Sequence, residues 1–91
     1  MSSFDDLEKL KKYSGEISFL VNSIQFLFDN ALDNINEEGI SKINKELKIT
    51  LEQCNFWMYK NEPTRIVYDL KNFGLWLCDY IGDKEREFWN E

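Results

Sequence analysis

The chain has 91 residues, room for one domain, since a second would need roughly 100 more. At this length folding buries only about 60% of the unfolded chain's surface, but 14 aromatic residues and 43% hydrophobic content make the chain too apolar for a disordered tail. Seventeen acids against 11 bases leave a net charge of -6, which argues against binding nucleic acid or an anionic membrane directly. The absence of any His removes His metal sites, His general bases and nearly every catalytic triad.

The start, Met1-Ser2-Ser3-Phe4-Asp5-Asp6, has neither a basic n-region nor an apolar h-region, so no signal peptide is expected. The longest strongly apolar runs, Ile17 to Val21 and Phe26 to Phe28, are far short of a membrane span of about 20 residues. A soluble, cytoplasmic protein is expected. Strand signals are weak, with two Val, two Thr and no clean alternation.

Helical spacing dominates instead. Phe4, Leu7, Leu10, Ile17, Leu20, Val21, Ile24, Leu27, Phe28, Ala31, Leu32 and Ile35 recur in steps of three and four, apart from a gap spanned by Tyr13. Ser3 and Asp6 have the form of a capping box, and Gly15 is a point at which the segment bends or divides. The spacing predicts helix over 3–14 and 16–35, as one bent helix or two. Asn36 is a good N-cap, followed by Glu37 and Glu38 at the positive helix start, with Ile35 and Ile40 placed for a hydrophobic staple. The next helix runs to about Lys60 on a stripe of Ile40, Ile43, Leu47, Leu51, Cys54 and Met58, with Ile49 and Trp57 beside it. Asn61-Glu62-Pro63 is a boundary, because Pro suits a first helical turn and disrupts an interior. The last helix carries Ile66, Val67, Leu70, Phe73, Leu77 and Ile81. Gly82 is a place for it to end or bend before Phe88 and Trp89. The predicted fold is all-α, a small antiparallel bundle of three long helices, or four if Gly15 splits the first.

Phe19, Phe26, Phe28, Phe56, Phe73 and Trp76 are expected mostly in the core, although Phe19 and Phe26 lie off the main stripe. So small a bundle does not easily bury all 14 rings, and a homodimer is the expected way to cover the rest. Cys54 and Cys78 are expected as buried thiols, not as a disulfide or a metal site. No phosphate loop, nucleophile elbow or CxxC pair occurs, and the acids lie mostly on polar helix sides, so no enzymatic activity and no cofactor are expected.

The charge is unevenly placed. No Lys or Arg occurs from Tyr13 through Ser41, where Glu16, Asp29, Asp33, Glu37 and Glu38 lie. Ile40 to Lys60 is mildly basic, with Lys42, Lys45, Lys48 and Lys60 against Glu46 and Glu52. From Asn61 onward seven acids face four bases. Asp29, Asp33 and Glu37 are four residues apart, as are Asp79, Asp83, Glu87 and Glu91. On a helix each set makes a row with about 6 Å per step. Phosphates along one DNA strand are on the order of 6–7 Å apart, so such a row presents a DNA-like pattern to a basic partner.

This small, acidic, His-free helical chain has nine Asn, nine Lys, seven Phe and one Ala, a basic-free stretch with Asp29, Asp33, Glu37 and Glu38, and the row Asp79, Asp83, Glu87 and Glu91. In these respects it resembles phage-encoded anti-restriction proteins that imitate DNA, such as the anti-restriction nuclease proteins of T-even phages. The resemblance implies an inhibitor, working in the host cytoplasm, that occupies the DNA site of a restriction endonuclease or nucleoid protein, often as a dimer. Two other functions suit the same residues. One is an immunity protein or antitoxin covering a basic nuclease toxin. The other is a helical adaptor binding through exposed aromatics such as Trp57 and Trp89.

Overall fold

Among the described residues the apolar stripes read from the sequence are satisfied by four helices: α1 (Ser3–Lys9), α2 (Gly15–Asn34), α3 (Glu37–Tyr59) and α4 (Pro63–Trp89). The computed structural model describes residues 3–89, and the side chains of 5–87. A single 3-10 turn, Leu10–Lys12, extends α1. Among the described residues there is no strand, and no helix is long and apolar enough to cross a membrane.

The first segment is two helices, and the division falls just before Gly15. Ser14 is extended, with its hydroxyl accepting the Ile17 N–H at 3.2 Å, so it starts α2 as an N-cap. The proposed Ser3 cap and Phe4, Phe88 and Trp89 lie outside the described side chains. Asn36 caps α3 as expected, its side-chain oxygen accepting the Gly39 N–H at 2.9 Å. α3 ends where Asn61 takes the left-handed conformation, φ 59°. There the Glu62 N–H donates to the Trp57 carbonyl and the Asn61 N–H to that of Met58, a Schellman closure that needs a left-handed residue. Pro63 then opens α4, and α4 continues unbroken through Gly74 and Gly82.

α4 packs against both α2 and α3, while α1 and its 3-10 turn pack against the same two helices. α1 therefore stands diagonal to α4, and α2 diagonal to α3. Among the described residues sixteen apolar side chains form one core, including Leu7, Ile17, Ile24, Ile43, Leu47, Ile66, Leu70 and Leu77, each at most 2% exposed. No polar or charged side chain is buried among the described residues. Every buried group thus contributes apolar transfer free energy, at about 25 cal/mol per Å², without an offsetting polar desolvation cost.

Several expected core residues face outward. Phe19 and Phe26 are 70% and 74% exposed, because each lies about half a turn from the line through Ile17, Val21, Ile24 and Phe28. Phe56, Met58 and Leu32 are also exposed. Cys78 is exposed and Cys54 buried, both as free thiols, so only one of the two expected buried thiols is buried.

At the start of α3 the chain is tightly folded over. A Cβ on Gly39 would collide with Cγ2 of Ile35, which folds back over the first turn. Gly39→Ala gains about 0.5–1 kcal/mol of helix propensity but incurs an overpacking cost of about 1–3 kcal/mol. Chemical denaturation should therefore show a lower midpoint for Gly39→Ala. In an Ile35→Ala background, which removes the colliding methyl group, the same substitution should be neutral or stabilising.

Candidate functional site

α2 ends at Asn34, Ile35 is extended, and two residues later α3 begins. This short connection sets the C-terminal turns of α2 beside the first turn of α3. The C-terminal half of α4 reaches the same end, since the Tyr80 hydroxyl lies 3.6 Å from the Cβ position of Gly39. Asp29 and Asp33 from α2, Glu37 and Glu38 from α3, and Asp79, Asp83 and Glu87 from α4 therefore belong to one end of the bundle. All seven are exposed. Glu91 lies outside the described residues.

The row of Asp29, Asp33 and Glu37 does not survive folding. Asp29 and Asp33 share the outer face of α2, but Glu37 is the first residue of another helix, beyond the extended Ile35 and Asn36. The helical i+8 step needs unbroken helix, and the N-cap that starts α3 prevents it. The second row does lie on one continuous helix, but it is partly neutralised. Arg86 donates to Asp83, and Lys84 pairs with Glu87 at 3.3 Å, each three residues apart. Hydrogen bonding to Glu87, with the charges of Glu87, Tyr80 and Glu38, raises the Lys84 pKa above its ordinary value. The influence of Glu38 on Lys84 is a second sign that the start of α3 adjoins the end of α4.

The excess negative charge thus sits where α2 meets α3. Asp29, Asp33, Glu37 and Glu38 take part in no ion pair among the described residues, and the bonds of the nearby Asn34 run to Asn30 within its own helix. Glu37 and Glu38 also lie at the positive end of the α3 dipole, where acidic residues stabilise a helix start. The nearest bases along the chain belong to α3, where Lys42 is paired with Glu46 at 3.5 Å.

The opposite end has a different character. The Trp57 ring N–H donates to Asp69 at 2.8 Å, and the Arg65 guanidinium stacks over the Trp57 ring at 4.7 Å while pairing with Glu62 at 3.0 Å. Trp57 is consequently half-buried and engaged, not a free docking aromatic. One surface depression at this end is lined by Asn61, Pro63, Thr64, Arg65 and Tyr68, and another lies at the α2–α3 connection, lined by Leu32, Ile35, Glu37 and Ile40. Sequence reasoning missed the Trp57–Asp69 bond, because no periodic signal marks a bond between two helices 12 residues apart.

No protein-family model matches this sequence, and no curated protein or solved structure matches it.

Cys54 gives a direct pH test of the packing beneath this surface. Burial, and secondly the negative charge of Asp69, push its thiol from 9.0 up to about 12. Below the unfolded value the thiol is protonated in both states and adds no pH dependence. Between pH 9 and about 12 the unfolded state ionises first, so stability falls as pH rises through this window. The expected result is a steeper alkaline loss of stability in the native protein than in Cys54→Val, measured by denaturation at several pH values.

Proposed function

We propose that the protein is a non-enzymatic inhibitor that uses the acidic end of the bundle to cover the DNA-binding surface of a basic protein, such as a restriction endonuclease or a nucleoid protein. The observation that carries this reading is the convergence of Asp29, Asp33, Glu37 and Glu38, without ion-pair partners, at the corner between α2 and α3. Four exposed carboxylates that flank one two-residue connection make this corner an anionic patch. Such a patch attracts Lys and Arg from a distance and speeds association in a salt-dependent way. The α4 row lies at the same end of the bundle, with Asp83 and Glu87 already paired to Arg86 and Lys84.

A second reading is favoured by Phe19 and Phe26, seven residues apart on the same outer face of α2 as Asp33. In that reading the protein is an adaptor whose aromatic ridge supplies the affinity. Salt dependence separates the two, since burial of rings is nearly independent of ionic strength and carboxylate–guanidinium contacts are not.

The test is retention of bacterial DNA-binding proteins on the immobilised protein, with elution by salt and by duplex DNA. Reversing both charges in Asp29→Lys/Asp33→Lys should weaken retention by about tenfold or more while leaving the helical circular dichroism unchanged. Retention that ignores the reversal and withstands salt, but is lost in Phe26→Ser, would move the function to the aromatic ridge.

A further inference from the structure

We infer that α4 carries a self-complementary face through which two copies of this chain pair, antiparallel, about a two-fold axis at Leu75. This does not depend on the proposed function of the acidic end.

One side of α4 turns away from the buried Ile66, Leu70, Phe73, Leu77 and Ile81. On that side Tyr68 and Leu75 are each 66% exposed, and Gly82 continues their seven-residue step. Lys71, Cys78 and Asp79 flank the line and are exposed. α2 and α3 lie against the sides of α4, and α1 stands diagonally behind, so no element of the same chain covers this face. Nothing lies within 4 Å of the Cβ position of Gly82, which leaves a flat stretch of helix backbone open to an incoming group.

The residues are arranged symmetrically about Leu75. Lys71 lies four residues before it and Asp79 four after. Tyr68 lies seven before it and Gly82 seven after. In an antiparallel pair centred on Leu75, Leu75 meets its own copy, and residues equally far before and after the centre meet each other. Lys71 then faces Asp79 of the second copy, and Tyr68 lies over Gly82 of the second copy, each contact occurring twice. With axes about 8–9 Å apart, as close-packed helices allow, the Lys71 and Asp79 Cβ atoms are about 5–6 Å apart across the axis, by helix geometry. That separation suits an ion pair. The Tyr68 ring covers the place where Gly82 has no side chain, so large meets small.

Charge and size both change sign at mirrored positions, and this singles out a second copy as the occupant. An isologous interface requires that property. The outer face of α2 lacks it, since Asp29 and Asp33 have no base on that helix to meet in a copy. In the single chain Lys71 reaches only Glu16, at 3.8 Å between exposed side chains, and Asp79 has no ion pair among the described residues. Both are free to exchange into the dimer contact.

Charge exchange tests the pairing, with mass read by sedimentation equilibrium over a concentration series. The native chain should sediment as a reversible dimer. Lys71→Asp sets acid against acid twice, and Asp79→Lys sets base against base twice. Each should raise the dimer dissociation constant by about tenfold or more. The double exchange, Lys71→Asp with Asp79→Lys, should return it close to the native value. In a Cys78→Ser background, Leu75→Cys should give a covalent dimer on mild oxidation, because position 75 meets itself. A native chain that stays monomeric overturns the inference, as does a dimer indifferent to both single reversals. Single reversals that weaken the dimer without rescue by the double exchange also overturn this register. Circular dichroism of each variant shows that the helices remain.

Discussion

The last helix cannot be stable alone, because its stripe of Ile66, Leu70, Phe73, Leu77 and Ile81 needs cover along its length. α2 and α3 supply that cover from two sides, and the rest of the molecule follows from this arrangement. Because both helices spend their apolar stripes on α4, they stand diagonal to one another, and the short α1 with its 3-10 turn closes the remaining side with Leu7 and Leu10. The core contains no buried polar side chain among the described residues. The fold is therefore held by apolar burial, and its polar groups are left to the surface and the helix ends.

The same arrangement decides where charge accumulates. A two-residue connection between α2 and α3 brings a helix C-terminus and a helix N-terminus together. Asn36 makes this possible by ending one helical path and capping the next. The carboxylates on both sides of that connection, Asp29 and Asp33 before it and Glu37 and Glu38 after it, are gathered as a consequence. α4 adds acids at the same end but answers two of them with Arg86 and Lys84. Acidic density and net negative charge are thus different things here. The α4 row is dense in acids yet partly compensated, and the corner between α2 and α3 has no ion pair among the described residues, although Glu38 acts on Lys84.

Two of the surfaces that remain after the core is formed have different chemistry. The outer face of α2 combines Phe19 and Phe26 with acids and has no base. The outer face of α4 combines Tyr68 and Leu75 with Lys71 on one side of Leu75 and Asp79 on the other. The first has no base with which to pair with itself. The second mixes both signs and has the symmetry that a copy of itself requires.

Local signals in the sequence carried much of this. Three- and four-residue apolar steps specified all-α structure and most of the core, because they reflect a helix's own geometry. The Asn36 cap, the Asn61-Glu62-Pro63 boundary and the lack of Lys and Arg from Tyr13 to Ser41 were equally legible. What the sequence left open depended on contacts between helices. It did not show that Phe19, Phe26 and Cys78 face outward, since an aromatic or a thiol off the main stripe finds cover only if a neighbour stands there. It did not show that Trp57 is held by Asp69. It also left undecided whether the acidic residues share a face. The Asn36 cap already breaks one row at Ile35, but only the structure kept the other continuous through Gly82 and brought both to one end, because helix packing, and not spacing along the chain, sets which surfaces meet.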